Sequence, residues 1–157
     1  MSTTLLLFSF LIGCLVGLRS LTPPAIICLA SHLGWLNFAG TRLAFIGHRW
    51  MLILFTLLAL FELVNDKLPK TPPRTAPPGL IARILFGALC GAALAVSSAG
   101  NLWVAVVVAV IGALAGTFGG YNIRHALDTK AHLPDLGVAL AEDVVAIAGS
   151  LFIVSHL

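Results

Sequence analysis

The ionisable residues of this chain stand inside and beside apolar runs long enough to cross a bilayer. That placement constrains the fold more than any other feature. Hydrophobic residues make up 59% of the 157 and charged residues 10%, the balance of an integral membrane protein. Glu62, Glu142 and Asp143 nevertheless lie within or at the lip of apolar runs, and Arg19 and Arg124 close two others. An ionisable side chain near the bilayer centre costs roughly 2.5–3.5 kcal/mol on insertion scales, so it needs a partner, a water-filled cavity or a task.

The net charge of +3 is small and its basic residues are spread over several connectors. That argues against a nucleic-acid surface and for connectors facing anionic headgroups. Cys14, Cys28 and Cys90 all fall in apolar segments without Cys-x-x-Cys spacing, which reads as small buried packing rather than disulfides or zinc. Leu11-Ile12-Gly13-Cys14 loosely matches a lipoprotein processing box. Residues 1–18 carry no Lys or Arg, however, and a secretory leader needs a basic start, so Thr4–Leu18 is read as a retained first span.

That run is short for a hydrocarbon core of roughly 30 Å at about 1.5 Å per residue. Thr22-Pro23-Pro24 should break the chain, because proline lacks the amide hydrogen of a continuing helix. Ala25–Trp35 is then too short to span comfortably and is expected to be a broken, re-entrant or interfacial helix. Trp50–Val64, Ile84–Ala99, Leu102–Phe118 and Gly137–Val154 complete about five spans in a single transmembrane domain, residues 1–157. The proline-rich connector from Asp66 to Arg83 carries Lys67, Lys70 and Arg74 and is the expected cytoplasmic loop of a bacterial inner-membrane protein. Gly100-Asn101 is an uncharged periplasmic turn, and Tyr121–Pro134 a second polar connector. If Ala25–Trp35 does not cross, the N-terminus is cytoplasmic too, and Arg42 and Arg49 then lie outside, against the charge rule.

Glycines recur four apart at Gly13/Gly17, Gly87/Gly91 and Gly112/Gly116/Gly120. Such stripes let helix backbones approach closely, chiefly within the chain and otherwise across a homodimer seam. Ile12–Gly17 and Ile111–Gly116 share Ile-Gly-x-Leu-x-Gly. Each precedes an arginine (Arg19, Arg124), a proline (Pro23, Pro134) and a carboxylate-bearing span. This order predicts inverted half-repeats, 4–66 and 102–155, joined by span 84–99, with a site where the halves meet.

Glu62 and Asp66 stand four apart and share one helix face, with Lys67 adjacent and Pro69 ending the helix. Such a face can bind a cation or relay a proton, or it can be an acidic and basic collar at the headgroups. Glu142 and Asp143 are about 100° apart on a helix and cannot both face one partner squarely. Their like charges call for Arg19, Arg124 or a bound cation, although a nearby helix N-terminus would also stabilise Asp143. His125, Asp128, His132 and Asp135, spaced three, four and three apart, form a weak metal-ligand stripe. Gly-x-Ser-x-Gly, Cys–His pairs and phosphate-binding glycine loops do not occur, and no cofactor is expected.

Gly17-Leu18-Arg19 with Pro23, then Glu62-x-x-x-Asp66-Lys67-x-Pro69, then Arg124 and Glu142-Asp143 form an ordered set. It resembles the family of small bacterial membrane proteins catalogued as domain of unknown function 4126, over essentially the whole chain. The resemblance implies a bacterial multi-span inner-membrane protein and no particular activity; the stretch from His125 to Asp135 is not matched to it. The first reading is a transporter or channel-like protein. Glu62, Asp66, Glu142 and Asp143 would be its cation or proton sites, and Arg19 and Arg124 counter-charges or contacts for a small anionic solute. A membrane-embedded enzyme or lipid-handling protein, and a non-catalytic scaffold, are the alternatives. A pathway needs a polar cavity at Glu62 or Glu142, whereas a scaffold needs those carboxylates paired and dry.

Overall fold

The computed structural model describes residues 2–66, 76–131 and 135–157, and of 128–131 and 135–136 the backbone alone. It is all-helical: α1 (Thr3–Leu18), α2 (Thr22–His32), a short 3-10 turn (Ala44–Gly47), α3 (Arg49–Asn65), α4 (Pro77–Ser97), α5 (Leu102–Ala131) and α6 (Asp135–Ser155). By length and composition α4, most of α5 (Leu102–Leu127) and most of α6 (Gly137–Ser155) can cross a membrane, and α1 is apolar but shorter.

The caps explain the boundaries. Ser2 Oγ accepts the Leu5 N–H at 3.2 Å and starts α1, which ends where Arg19 turns extended. The helix is interrupted between Leu18 and Thr22 as expected, and the prolines open the next element: Pro23 and Pro24 occupy the first turn of α2, Pro77 and Pro78 that of α4. First-turn amides have no intrahelical acceptor, so proline loses nothing there. At the other end of α2, Gly34 takes φ +79° and the Trp35 N–H reaches back to the Ala30 carbonyl at 2.9 Å, a left-handed C-terminal stop. Asn101 Oδ1 caps α5 by accepting the Val104 N–H at 3.2 Å. The expected polar connector at 121–134 is instead helical as far as Ala131, since nothing from Tyr121 to Lys130 forbids it.

α1 is the central helix. It packs along α5, which also carries α4, while α2 bridges α3 and α6. The glycine stripes make the α1–α5–α4 contact. A Cβ on Gly13 would lie 2.0 Å from the Ala109 carbonyl oxygen, one on Gly116 2.1 Å from that of Cys14, and one on Gly91 2.6 Å from that of Ala105. Only hydrogen fits between backbones this close, so these faces are spent within the chain.

The contacts along that seam advance together: Gly13 meets Ala109 and Gly17 meets Ala113. Ile12–Gly17 and Ile111–Gly116 therefore run side by side in the same direction, whereas an inverted repeat would set them antiparallel. Shared small-residue packing explains their likeness without inversion.

Leu5 touches Gly100, and Phe8 meets Phe152 edge-on at 6.4 Å, so the start of α1, the α4–α5 turn and the end of α6 gather at one end. Arg19, Asp66, Arg83 and Asp143 gather toward the other. α1 thus starts at the end opposite Asp66 and the start of α4, the arrangement that follows when the Ala25–Trp35 region crosses. The return is made by α2, rising about 16 Å over its 11 residues, with the 33–48 segment. Wide apolar faces remain outward, including Trp50, Leu57 and Phe61 on α3 and Val107 and Ile111 on α5, as a lipid-facing surface requires.

Candidate functional site

The charged residues form one layer inside the bundle. Arg19 arrives at the turn between α1 and α2 and is fully buried, although it is the bulkiest side chain of the buried set. Its Nη1 pairs with Asp66 Oδ2 at the end of α3. Its Nη2 lies 2.6 Å from Asp143 Oδ1 on α6 and 3.4 Å from the Ala139 carbonyl, to which it donates. Nε has no hydrogen-bond partner among the described residues. One guanidinium therefore ties three parts of the chain, with its planar fork divided between two carboxylates.

Glu62 does something the sequence did not indicate. Its Oε1 accepts from the Ser20 N–H at 2.8 Å and the Ser20 hydroxyl at 2.6 Å, and its Oε2 accepts the Leu21 N–H at 2.9 Å. Ser20 and Leu21 immediately precede α2, whose own cap residue Leu21 offers no side-chain acceptor. A carboxylate from α3 thus caps α2 from outside, meeting donors that a helix start leaves unpaired and its positive dipole end. As expected from their spacing, Glu62 and Asp66 address one place, the α1–α2 turn.

Glu142 and Asp143 diverge, also as expected: Asp143 takes Arg19, and Glu142 Oε2 lies 3.7 Å from Arg124 Nη1 on α5. Asp143 stands eight residues into α6, past the first turn where the dipole acts, so helix-start stabilisation does not account for it. Both arginines reach neighbouring residues of α6 and lie at one level, not at opposite membrane faces as an inverted repeat requires.

Three participants were missed. Arg83, read as a loop charge, is buried on α4; its Nε donates to the Gly17 carbonyl and its Nη1 to the Gly79 carbonyl, both at 3.1 Å. The signal was present, because Arg83 stands four and eight residues before Gly87 and Gly91 on the face that packs inward. Thr117, fully buried on α5, donates to the Ala113 carbonyl at 2.7 Å and lies 3.5 Å from the Gly17 carbonyl. Ser20 is the third polar residue of the layer.

His125 is exposed and stacked on Tyr121, with ring centroids 6.3 Å apart. Among the described residues no group of His, Cys, Asp and Glu could hold a metal ion. The side chains of Asp128, His132 and Asp135, like Lys67 and Pro69, lie outside the described residues. Beside Glu142 a cleft of about 490 Å³ opens between α5 and α6, with otherwise apolar walls.

Apolar helices of crossing length around an internal ion-pair layer are the build of a helical membrane protein. The chain matches the family described as Domain of unknown function (DUF4126) over residues 6–156, and it belongs to that family. No curated protein and no solved structure matches it.

Proposed function

We propose that this is a transporter or channel-like protein of the bacterial inner membrane, in which the carboxylate layer takes up a cation or a proton. α1, α3, α4, α5 and α6 cross the bilayer as a single domain, and α2 is the broken element. The observation that carries the reading is an ionisable layer set inside apolar helices, in which Arg19 bridges Asp66 and Asp143 and Glu142 stands 3.7 Å from Arg124. The layer lies about 12 Å from the start of α6 and about 18 Å from its end, at the rise of an α-helix. Ionisable side chains at that depth are costly to keep unless they pair, meet water or have a task, and taking up a cation or a proton is such a task. Glu142, at the cleft, is the better ion site, and Asp66 and Asp143 hold Arg19 as its counter-charge.

One observation favours the scaffold reading for part of the layer. Glu62 meets three donors, the pattern of a helix cap. The proposal is tested with purified protein by melting temperature across pH and a panel of cations, and by flux in liposomes. The expected result is a cation- or pH-dependent melting temperature that Glu142→Gln flattens while the protein stays folded. A wild type indifferent to every cation and proton gradient would replace this reading with the scaffold.

A further inference from the structure

The connector between α2 and α3 carries a second cleft, remote from the charged layer. α2 leaves that layer at Ser20 and Leu21 and α3 returns to it at Glu62, so residues 33–48 lie at the opposite end of the bundle. The cleft measures about 450 Å³, the size of a small-ligand site. Ser31, Asn37 and His48 give its wall polar groups, and Leu36, Phe38 and Ala44 give it apolar ones. Two arginines stand on its rim. Arg42 belongs to a turn in which the Thr41 hydroxyl donates to the Phe38 carbonyl at 2.7 Å and the Ala44 N–H to the Thr41 carbonyl at 3.2 Å. Arg49 directly follows His48. Arg42, His48 and Arg49 are exposed, and residues 1–61 contain no Asp or Glu to pair with them. The carboxylates of Glu62, Asp66, Glu142 and Asp143 all belong to the layer at the other end.

We propose that this cleft docks the headgroup of an anionic phospholipid, with Arg42, His48 and Arg49 at the phosphate and the acyl chains along α3. The inference goes beyond the ion reading and does not depend on it. Charge complementarity decides the sign, since the rim is basic and its end of the bundle holds no described carboxylate side chain. A guanidinium also matches a phosphate with two parallel hydrogen bonds. Depth in the membrane decides the source. Trp50, Leu54, Leu57 and Phe61 form one exposed face of α3, and Trp50, 79% exposed, stands in its first turn. Tryptophan at the head of a lipid-facing stripe marks the headgroup level, and His48 lies two residues before it. A headgroup held there lays its chains on that stripe. On the topology read from the proline-rich connector, Arg42 and Arg49 face outward, where the charge rule disfavours them, and a held anionic lipid offsets that charge.

The test reads tryptophan quenching by bromine-bearing acyl chains, with the full chain in phosphatidylcholine vesicles. Trp103→Phe, at an exposed position, leaves Trp50 and Trp35, the latter between the lining residues Gly34 and Leu36. Brominated phosphatidylglycerol should quench at least about twofold more than brominated phosphatidylcholine at equal mole fraction. The excess should vanish when Arg42→Gln and Arg49→Gln are combined. It should vanish too when Ser31→Ala and His48→Leu are combined, which strips polar groups from the wall and keeps both arginines. Equal quenching by the two lipids before these substitutions overturns the proposal. An excess that survives either pair also overturns it, because the attraction is then diffuse or lies elsewhere. Loss of the excess to inorganic phosphate at constant ionic strength overturns it as well, since the occupant is then a soluble anion. The carboxylate layer is tested separately by its cation and pH dependence, so either reading can fail without the other.

Discussion

Arg19 is the residue on which the layer turns, and Arg19→Met is its most direct test. The substitution keeps an unbranched apolar stem and removes the guanidinium from between Asp66 and Asp143, whose side chains are 15% and 9% exposed. Two like charges then face each other across the space the cation occupied. Breaking a buried ion pair from one side costs roughly 3–5 kcal/mol, and here two pairs break together, which places the expected loss at the upper end. The cost comes from stranded carboxylates, not from a strong bond forgone. A triple variant, Arg19→Met with Asp66→Asn and Asp143→Asn, should therefore recover much of it. Arg19→Lys should recover little, because an ammonium lacks the planar fork that reaches two helices. Equilibrium unfolding in mixed detergent micelles gives all four values. A loss below about 1 kcal/mol for Arg19→Met, the range of a solvated surface pair, would refute the buried-layer argument. A triple variant no more stable than the single would refute the stranded-charge explanation.

The helix seam predicts a contrast between two glycines of α5: Gly116→Ala drives a Cβ into the Cys14 carbonyl and should destabilise by about 1–3 kcal/mol or more, while Gly119→Ala meets nothing and should be neutral or slightly stabilising. Similar melting temperatures for the two would refute the intramolecular seam. Glu62→Ala leaves the start of α2 without its external cap and should cost about 1.5–3 kcal/mol, from hydrogen bonds made by a charged group. Hydrogen exchange at Ser20 and Leu21 should accelerate with it, and unchanged protection there would show that the cap is dispensable. For topology, with Cys14, Cys28 and Cys90 replaced, a cysteine at Asn101 should label from outside the cell and one at Thr71 should not. The reverse pattern would invert the molecule.

Much of this protein can be read from its residues in order. Apolar runs punctuated by Gly, Pro and charge placed the helices, because a bilayer leaves little choice but to satisfy backbone hydrogen bonds within each helix. Glycine spacing marked the surfaces of closest approach for the same local reason, that a helix repeats its face every three to four residues. The divergence of Glu142 from Asp143 and the agreement of Glu62 with Asp66 followed from that periodicity alone.

Direction and partnership were settled only by the tertiary structure. The likeness of Ile12–Gly17 to Ile111–Gly116 is equally compatible with parallel and antiparallel packing, and the seam is parallel because successive glycines of α1 meet successive residues of α5 in ascending order. No local signal tells a proline that opens a helix from one that ends it unless the following segment has something to pack on, as α2 has in α3 and α6. Glu62 became a cap, Arg83 a buried donor and Arg19 a bridge because each meets groups from 4 to 124 positions away in the chain. A sequence states which charges must be compensated in an apolar medium, and the three-dimensional path of the chain decides which group compensates each.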